Sequence, residues 1–371
     1  MTRRIILFLI PFLLLAATAP AQRKKATDAD GLYPPIVEDK KKKTETTQTL
    51  PPARELPAAV AGETRNLIFQ VSPLSSRGLL SQQTRDALHF LQHSSRGATI
   101  LKLRAFVAGS GDMRRIGELI AELWTDKKTP LPALSVVQTG ALPLEGSQVI
   151  IESIAEEHRA VNPSGIAFVS GQSADSLEGS LGKLSGTLKE GGMDDADMLK
   201  VTCFVRFLDE NKDAARLIAQ RFPNAAANYV QMQREYVLPV AECEGTARAR
   251  EPASPVRFMP PGPAGYSPMV IVSAPKLVFS STQLAFGSQE GDIRLAFDRL
   301  QKSIAPLNAS LDTAVMSHIY LVSKGLADTL RVVRSSFYNR NSPPANTMLP
   351  IESLPSLDAS MGLDVVAVAS Q

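Results

Sequence analysis

A strand–corner–strand pattern built on a Leu-Pro dipeptide recurs three times along the sequence. In residues 133–155, two apolar runs flank Leu142-Pro143 and two glycines. Proline cannot donate to a central ladder but can mark its edge, so the pattern predicts two buried strands meeting at a corner. It returns around Leu238-Pro239 and Leu354-Pro355, with separations of 96 and then 116 residues (142 to 238, 238 to 354). This is the spacing of domains rather than of solenoid repeats.

The segments before each corner share one order of elements. In the second copy, a short apolar strand at residues 165–171 precedes a helix with leucines along one face, and Asp175 and Glu178 form a capping-box pattern. A strand at residues 198–208 and a helix at residues 212–222 follow. The first and third copies show the same alternation, each opening with two predicted strands, at residues 67–71 and 78–82 and at residues 270–274 and 276–281.

The repetition predicts an α+β fold of three modules, at residues 65–157, 158–250 and 269–371. A sheet with both helices on one face leaves its other face apolar, and an exposed face of that size is adhesive. Three such sheets packed around a shared axis bury those faces, so we expect an intramolecular pseudo-trimer. Because the copies are already fused, the chain needs no homo-oligomer.

The remaining segments have the composition of targeting and linker sequences. Residues 1–21 combine two arginines, an apolar run and a small-residue cleavage site, which predicts a signal peptide and a periplasmic or secreted protein. The sequence leaves open Sec or twin-arginine export and whether the signal is cleaved. Residues 22–62 read as a disordered linker, and residues 251–268 as a Pro-rich, semi-rigid one.

Charge and composition exclude some classes of partner. Without residues 1–21 the chain has 38 basic and 37 acidic residues, which gives no electrostatic case for nucleic-acid binding. No membrane span is expected after signal cleavage. His89 and His93 lie four apart on a predicted helix but lack a third ligand, so we expect no metal and no cofactor. Cys203 and Cys243 both lie on second-module strands, where two buried thiols are favoured over a disulfide.

Several of these stretches resemble one family. Residues 165–172 (GIAFVSGQ), 199–205 and Leu238-Pro239, with residues 277–283 (LVFSSTQ) and 343–347 of the third module, are similar to the RidA/YjgF family of enamine/imine deaminases, formerly the L-PSP endoribonuclease family. The resemblance implies a chorismate-mutase-like fold, trimeric assembly and ligand clefts between neighbouring units. It also implies hydrolysis of 2-imino acids without a metal or organic cofactor.

The resemblance also implies site residues, and here the sequence departs from the family. The family holds the substrate carboxylate with the arginine of a Pro-Ala-Arg-Ser motif, whose planar fork suits that role. Aligned by sequence, this arginine falls on Leu134, Val230 and Asn346, so all three modules lack it. The water-activating glutamate of the last strand falls on Ile150, Glu242 and Asp364.

Two carboxylates and one strand end remain as candidate site residues. Glu242 and Asp364 are candidate catalytic acids, and they and Asn346 are expected to approach each other across a module boundary. Gly171 ends a strand and exposes a backbone N–H to a ligand oxygen, so Ser170, Gly171 and Gln172 are candidate substrate-binding residues.

Three functions follow from these residues. The first is an exported RidA-like protein with degenerate sites that binds a small imino-, keto- or amino-acid-like metabolite between modules. The second is a divergent imine deaminase or related hydrolase with one surviving cleft, and the sequence leaves open whether any activity remains. The third is an envelope protein-interaction scaffold.

Overall fold

The computed structural model describes residues 54–124, 129–234 and 239–370. These residues form a mixed α+β fold with sixteen strands in three sheets and six α-helices. The predicted signal peptide, most of the predicted disordered linker and Leu238 lie outside the described residues. The described residues contain no helix with the roughly 20 apolar residues that a bilayer crossing requires.

The same succession of strands and helices occurs three times. The first part of the chain contains β1 (Ala59–Glu63), β2 (Leu67–Val71), α1 (Leu80–Ser94), β3 (Thr99–Val107), α2 (Arg114–Leu123), β4 (Ala133–Gln138) and β5 (Val149–Glu156). The second contains β6 (Ile166–Ala174), α3 (Leu177–Glu190), β7 (Met198–Val205), α4 (Ala214–Arg221), β8 (Ala226–Gln231), β9 (Ala241–Arg248) and β10 (Val256–Phe258). The third contains β11 (Met269–Val272), β12 (Lys276–Ser280), β13 (Gln283–Phe286), α5 (Glu290–Ile304), β14 (Ala314–Leu321), α6 (Ala327–Arg334), β15 (Ala345–Pro350) and β16 (Ala359–Val368).

The three sheets share one central arrangement. The first sheet has the order β2-β5-β3-β4, the second β10-β11-β6-β9-β7-β8, and the third β1-β12-β16-β14-β15, with β13 also pairing β16. In each sheet, one strand (β5, β9 or β16) lies antiparallel to the strand between the two helices (β3, β7 or β14). That middle strand also pairs in parallel with the strand that follows it in the chain (β4, β8 or β15). A parallel pair needs a crossover connection, and α2, α4 and α6 provide it.

Both helices of each unit pack on one face of its sheet. In the first unit, Leu88 and Leu91 of α1 and Ile116 and Ile120 of α2 share a core with alternate β3 side chains such as Leu103. These helical residues recur at the spacing of one helical face, as the sequence predicts. The cap of α3 differs from the prediction: Ser176, and not Asp175 with Glu178, is the N-cap, and its hydroxyl accepts from the Gly179 N–H.

Several predicted elements are wrong. Residues 78–82, predicted as a strand, form the approach to α1 and its first turn. The predicted disordered linker contains β1 in its last residues, and the Pro-rich linker contains β10. The predicted opening hairpin of the third module does not form, because β11 and β12 join different sheets.

Two strands join the sheet of another unit. β11, the first strand of the third unit, pairs with β6 in the second sheet. β1, the first strand of the first unit, pairs with β12 at the edge of the third sheet. Gly165 accommodates the close approach of β11, since a Cβ added there would lie 2.0 Å from the Val272 carbonyl oxygen. Backbone hydrogen bonds therefore join the first unit to the third and the third to the second.

Cys203 and Cys243 form a disulfide, which corrects the expectation of two buried thiols. The two residues lie directly opposite each other on β7 and β9, and both point into the core under α3 and α4. The sequence predicts that both cysteines lie on strands of one unit, but it does not give the register of those strands. Whether the two cysteines face each other was therefore undetermined.

The faces opposite the helices meet in the centre of the molecule. Phe106, Phe204 and Tyr320, which occupy matching positions on β3, β7 and β14, belong to one apolar cluster. Phe168, Phe279 and Leu101 belong to a second cluster that again draws on all three sheets. Packing the three apolar faces against one another removes them from water, which is the burial that the sequence analysis requires.

Charged side chains that also lie on these inner faces form a buried cluster, here called the central ionic layer. Arg104 of the first sheet pairs with Glu152 at 2.8 Å and with Glu244 of the second sheet at 2.5 Å. Lys200 pairs with Glu152 at 3.0 Å, and His318 of the third sheet lies 3.3 Å from Glu244.

Asp364 connects the third sheet to the same layer. It lies 2.9 Å from His318 and 3.8 Å from Lys102, and it accepts a hydrogen bond from Ser135 at 2.5 Å. Burial alone would raise the pKa of Asp364, but Lys102 and His318 outweigh it and the pKa is lowered. Asp364 is therefore a charged member of the layer that links the third sheet to the first.

We expect Arg104→Met to destabilise the protein by about 3–5 kcal/mol, because Glu152 and Glu244 would stay buried without their shared cation. Chemical denaturation at pH 7 measures this. Arg115→Met is the matched control, since Arg115 pairs with Glu118 and Glu122 on the solvent side of α2 and its loss should change little. Equal effects of the two substitutions would contradict a structural role for the layer.

Replacing both Cys203 and Cys243 by alanine should lower the unfolding free energy by about 2–4 kcal/mol, because the crosslink restricts the unfolded chain. Denaturation of both proteins with and without reductant measures the effect. Reductant should destabilise the parent protein and leave the double variant unchanged. If the parent protein is insensitive to reductant under denaturing conditions, the disulfide does not form in solution.

Candidate functional site

Glu242 of β9 is a buried carboxyl on the side of the second sheet that faces the third unit. Its side chain is 8% exposed, and its Oε2 accepts a hydrogen bond from the Ser173 hydroxyl at 2.8 Å. Burial raises the pKa of Glu242 to about 7; the Ser173 hydrogen bond opposes this, and the nearby charge of Glu244 adds to it. A carboxyl with a pKa near 7 both donates and accepts protons at neutral pH, as a general acid–base group must.

Gly171 gives the Glu242 carboxylate its position. A Cβ added at Gly171 would lie 2.0 Å from Glu242 Oε1, so any larger residue would displace the carboxylate. The Gly171 N–H, predicted to be open to a ligand, already donates to Thr347 Oγ1 at 3.1 Å. That prediction is wrong, because the third unit supplies the acceptor.

Ser170 also joins the second and third units. Its hydroxyl donates to the Ser267 carbonyl at 2.6 Å and accepts from the Asn346 backbone N–H at 2.8 Å. The side chain of Gln172 donates to the Ser170 carbonyl at 3.1 Å and is partly exposed. Ser170 thus fastens β6 to β15, and the structure shows no free polar group on it for a ligand.

Asn346 carries a buried polar atom without a partner. Its side chain is 4% exposed, and in the described part of the chain its Oδ1 accepts no hydrogen bond. Burying an unsatisfied acceptor is unfavourable, so such an atom in a native fold calls for an explanation. Asn346 also lines a cavity, so a ligand bound there would lie beside this side chain.

The cavity beside Asn346 has a volume of about 280 Å³. Tyr266, which precedes β11, and Tyr338, which follows α6, form part of its wall. Glu242 does not line it but lies close behind it, and its charge contributes to the raised pKa of Tyr266 after burial. We call this region, from Glu242 through Asn346 to the cavity, the second seam, because it lies between the second and third sheets.

Strand register corrects the alignment of the motif position. Leu103 pairs with Leu134, and Ser317 at the matching place of β14 pairs with Asn346. The corresponding partner in the second sheet is Ala227, opposite Val201, and not Val230. Because Ala227 is no more cationic than Val230, the expected absence of the family arginine from this position of all three units is unchanged.

The register also separates Asp364 from Glu242. Asp364 pairs with His318 of β14. The matching residue of β7 is Thr202, but Glu242 pairs with Phe204, two residues further along that strand. The residues that match Asp364 are Glu152 and Glu244, and all three belong to the central ionic layer. Glu242 and Asp364 therefore occupy different layers, contrary to the expectation that they serve the same position.

The other two boundaries are chemically different. At the first seam, between the first and second sheets, Ile150 and Ala227 occupy the places of Glu242 and Asn346 and line an open cavity of about 550 Å³. At the third seam, between the third and first sheets, Gly362 and Leu134 occupy those places. There the Leu134 N–H donates to Ser281 Oγ at 2.9 Å, and the Ser281 hydroxyl donates to Pro57 at 2.8 Å.

His89 and His93 lie on α1, as predicted. No group of three or more His, Cys, Asp or Glu side chains in residues 54–124, 129–234 and 239–370 is arranged to hold a metal ion. Arg104, Glu152 and Glu244 were not among the predicted site residues, although charges at alternate positions of otherwise apolar strands were a signal for them.

A scan against protein-family models finds no match, and a search of curated proteins finds none. Solved structures that resemble the chain include a YjgF-family protein from Neisseria meningitidis, which is 17% identical, covers 31% of this chain and 96% of its own, and has a TM-score of 0.25. The Rid-family protein YyfB from Yersinia pestis is 18% identical over 30% of this chain and 98% of its own (TM-score 0.29). A YjgF/YER057c/UK114-family protein from Mycobacterium tuberculosis is 18% identical over 31% and 99% (TM-score 0.24). These values support no conclusion about activity.

Glu242→Gln should change how stability depends on pH. Because the folded-state pKa of Glu242 is raised to about 7 from an ordinary 4.5, the folded state binds the extra proton and wild-type stability falls as pH rises from about 4.5 to 7. Glutamine removes this loss, so the variant should gain on wild type by up to about 3 kcal/mol between pH 4.5 and 7.5.

Denaturant titrations at pH 4.5, 6 and 7.5 measure this difference. Glu145→Gln, at an exposed position of the β4–β5 loop, is the control and should show no such trend. A constant difference between Glu242→Gln and wild type across this range would contradict the raised pKa.

Proposed function

We propose that this protein is an exported, three-module RidA-like pseudo-trimer that binds a small imino-, keto- or amino-acid-like metabolite at the second seam. The observation that carries the proposal is Asn346, which lines a cavity of about 280 Å³ and whose buried Oδ1 has no hydrogen-bond partner among the described residues. The charge of Glu242 also acts on Tyr266 in the wall of this cavity. The cavity volume is just below the roughly 300–1,000 Å³ typical of small-molecule sites. A small metabolite therefore suits it better than a polymer.

The pseudo-trimer part of the proposal is supported by the repeated sheet order and the central ionic layer. Each acid of the layer contacts a basic side chain of the following unit: Glu152 contacts Lys200, Glu244 contacts His318 and Asp364 contacts Lys102. Such a cyclic pattern is what fusion of a three-subunit ring would leave behind. Export is supported only by the signal-like residues 1–21.

The near-neutral pKa of Glu242 favours imine hydrolysis as a second candidate function. In that reaction water adds to the imine carbon, and the carbon–nitrogen bond then breaks to give a ketone and ammonia. A carboxyl with a pKa of about 7 can take a proton from the water and return it to the leaving nitrogen. Such activity would be confined to the second seam, since Ile150 and Gly362 carry no acid.

Calorimetric titration with 2-aminobutyrate, whose ammonium group can donate to Asn346 Oδ1, tests the binding function. We expect saturable binding that Asn346→Leu weakens about 3- to 10-fold, the effect of losing one hydrogen bond. Ala227→Ser, at the matching position of the first seam, is the control and should bind as wild type does. Binding weakened equally by both substitutions, or no binding of 2-keto, 2-imino or 2-amino acids by wild type, would overturn the proposal.

Hydrolysis of 2-iminobutyrate, followed by ammonia release, tests the second candidate. The rate above background should be lost in Glu242→Gln and retained in Ala227→Ser. A rate that is the same with and without the wild-type protein would exclude deamination and leave binding as the function.

A further inference from the structure

The wall of the cavity at the second seam carries an unusual excess of positive charge. Three of its residues are arginines, Arg331, Arg334 and Arg340, and none of its other lining residues is an aspartate or glutamate. These arginines lie on α6 or just after it, and none of them belongs to the motif position that Asn346 occupies. A group of cationic side chains without a nearby carboxylate favours binding of an anion in the cavity that the cations line.

Arg334 differs from its two neighbours in burial and in partners. It is 8% exposed, and the only hydrogen bond of its guanidinium among the described residues goes to the carbonyl oxygen of Ala264. Arg331 is exposed and pairs with Asp328 at 2.9 Å, and Arg340 is exposed and donates to the Ser335 carbonyl at 2.9 Å. Arg334 is thus a buried cation that no carboxylate within the described residues neutralises.

Burial and two tyrosines set the environment of Arg334. Its guanidinium carbon lies 5.8 Å from the centre of the Tyr266 ring, within the range of a cation–π contact. Burial lowers the pKa of Arg334 and the charge of Arg331 lowers it further, whereas Tyr338 and Tyr266 oppose this. Asn346, whose buried Oδ1 has no hydrogen-bond partner among the described residues, lines the same cavity. A cation without a carboxylate partner and an acceptor without a donor therefore belong to one cavity wall.

We propose that Arg334, assisted by Arg331 and Arg340, binds the anionic head group, carboxylate or phosphate, of the small molecule that occupies the second seam. The proposal rests on the function proposed above and adds the charge of the ligand and the residue that holds it. A guanidinium pairs with a carboxylate or phosphate through parallel hydrogen bonds. A donor on the same ligand, such as an amine or imine N–H, satisfies Asn346 Oδ1.

A matched pair of probes tests this assignment by calorimetry. 2-Ketobutyrate carries the anion, and 2-oxobutanamide is its neutral isostere. Arg334→Met should weaken 2-ketobutyrate binding about 10- to 100-fold and leave the amide unchanged, since charge-assisted bonds are lost only for the anion. Arg299→Met is the control, because Arg299 also lies 5.8 Å from an aromatic ring, that of Phe286, but outside the cavity.

A second variant and a second anion keep the outcomes separable. If Arg334→Met does not fold, Arg334→Lys takes its place in the test. This variant retains the charge but not the planar fork, and it should bind 2-ketobutyrate about 10-fold more weakly than wild type. Inorganic phosphate distinguishes a phosphate-bearing ligand from a carboxylate-bearing one.

Loss of anion binding in both Arg334 variants, with Arg299→Met unaffected, supports the assignment. If Arg334→Met binds 2-ketobutyrate and 2-aminobutyrate like wild type while Asn346→Leu binds 2-aminobutyrate more weakly, the assignment is overturned and the proposed function stands. If wild type binds phosphate through Arg334 but no 2-keto, 2-imino or 2-amino acid, the proposed function fails and the anion site stands. Absence of binding of both anions overturns both.

Discussion

Three sheets hold together in this protein because their inner faces share a buried set of opposite charges. Arg104 contacts acids of the first and second sheets, and Asp364 contacts bases of the third and first sheets, so charges of each sheet are paired with charges of another. An ion pair removed from water adds little net stability over an apolar pair, but a broken one is costly. The central ionic layer therefore penalises any arrangement in which one sheet slides or leaves, while the aromatic cluster around Phe106 and Phe204 supplies the apolar burial.

Because the contacts that join the three sheets lie in the centre, the residues at the three seams can differ from one another. Since the central ionic layer and the apolar clusters join all three sheets, the side chains of Glu242, Asn346 and their counterparts at the other seams are not needed to hold the sheets in place. The same two places carry Glu242 with Asn346 at the second seam, Ile150 with Ala227 at the first, and Gly362 with Leu134 at the third. Polar chemistry has thus concentrated at one cleft, which also acquires arginines from α6. A symmetric three-chain ring could not differentiate its clefts in this way, because every copy would change together.

How far the sequence predicts this structure depends on whether a feature is local. Apolar periodicity located the strands β4, β5, β9 and β16 and the inner faces of α1 and α2, because burial selects residues one at a time. It could not show which sheet β1 or β11 would join, since alternation identifies a strand and not its partner. The same limit applies to the site: Asp364 and Glu242 looked equivalent from the sequence, and only pairing with His318 and Phe204 placed them in different layers. Arg334 was not predicted as a site residue, because its lack of a carboxylate partner can be seen only in the folded structure.

The pairing of β1 with β12 sets an order on how the molecule is completed. Ala59 lies opposite Ser280, so β1 can pair with β12 only after more than half of the chain has been synthesised between them. Contacts so distant in sequence are slow to form, because the entropy of closing a long loop is lost before the contacts stabilise the chain. A chain that stops after the second unit would leave β1 without a partner and β6 without β11, and unpaired strand edges promote aggregation. Biosynthesis of this protein therefore passes through a stage in which two-thirds of the chain is present and two sheet edges remain open.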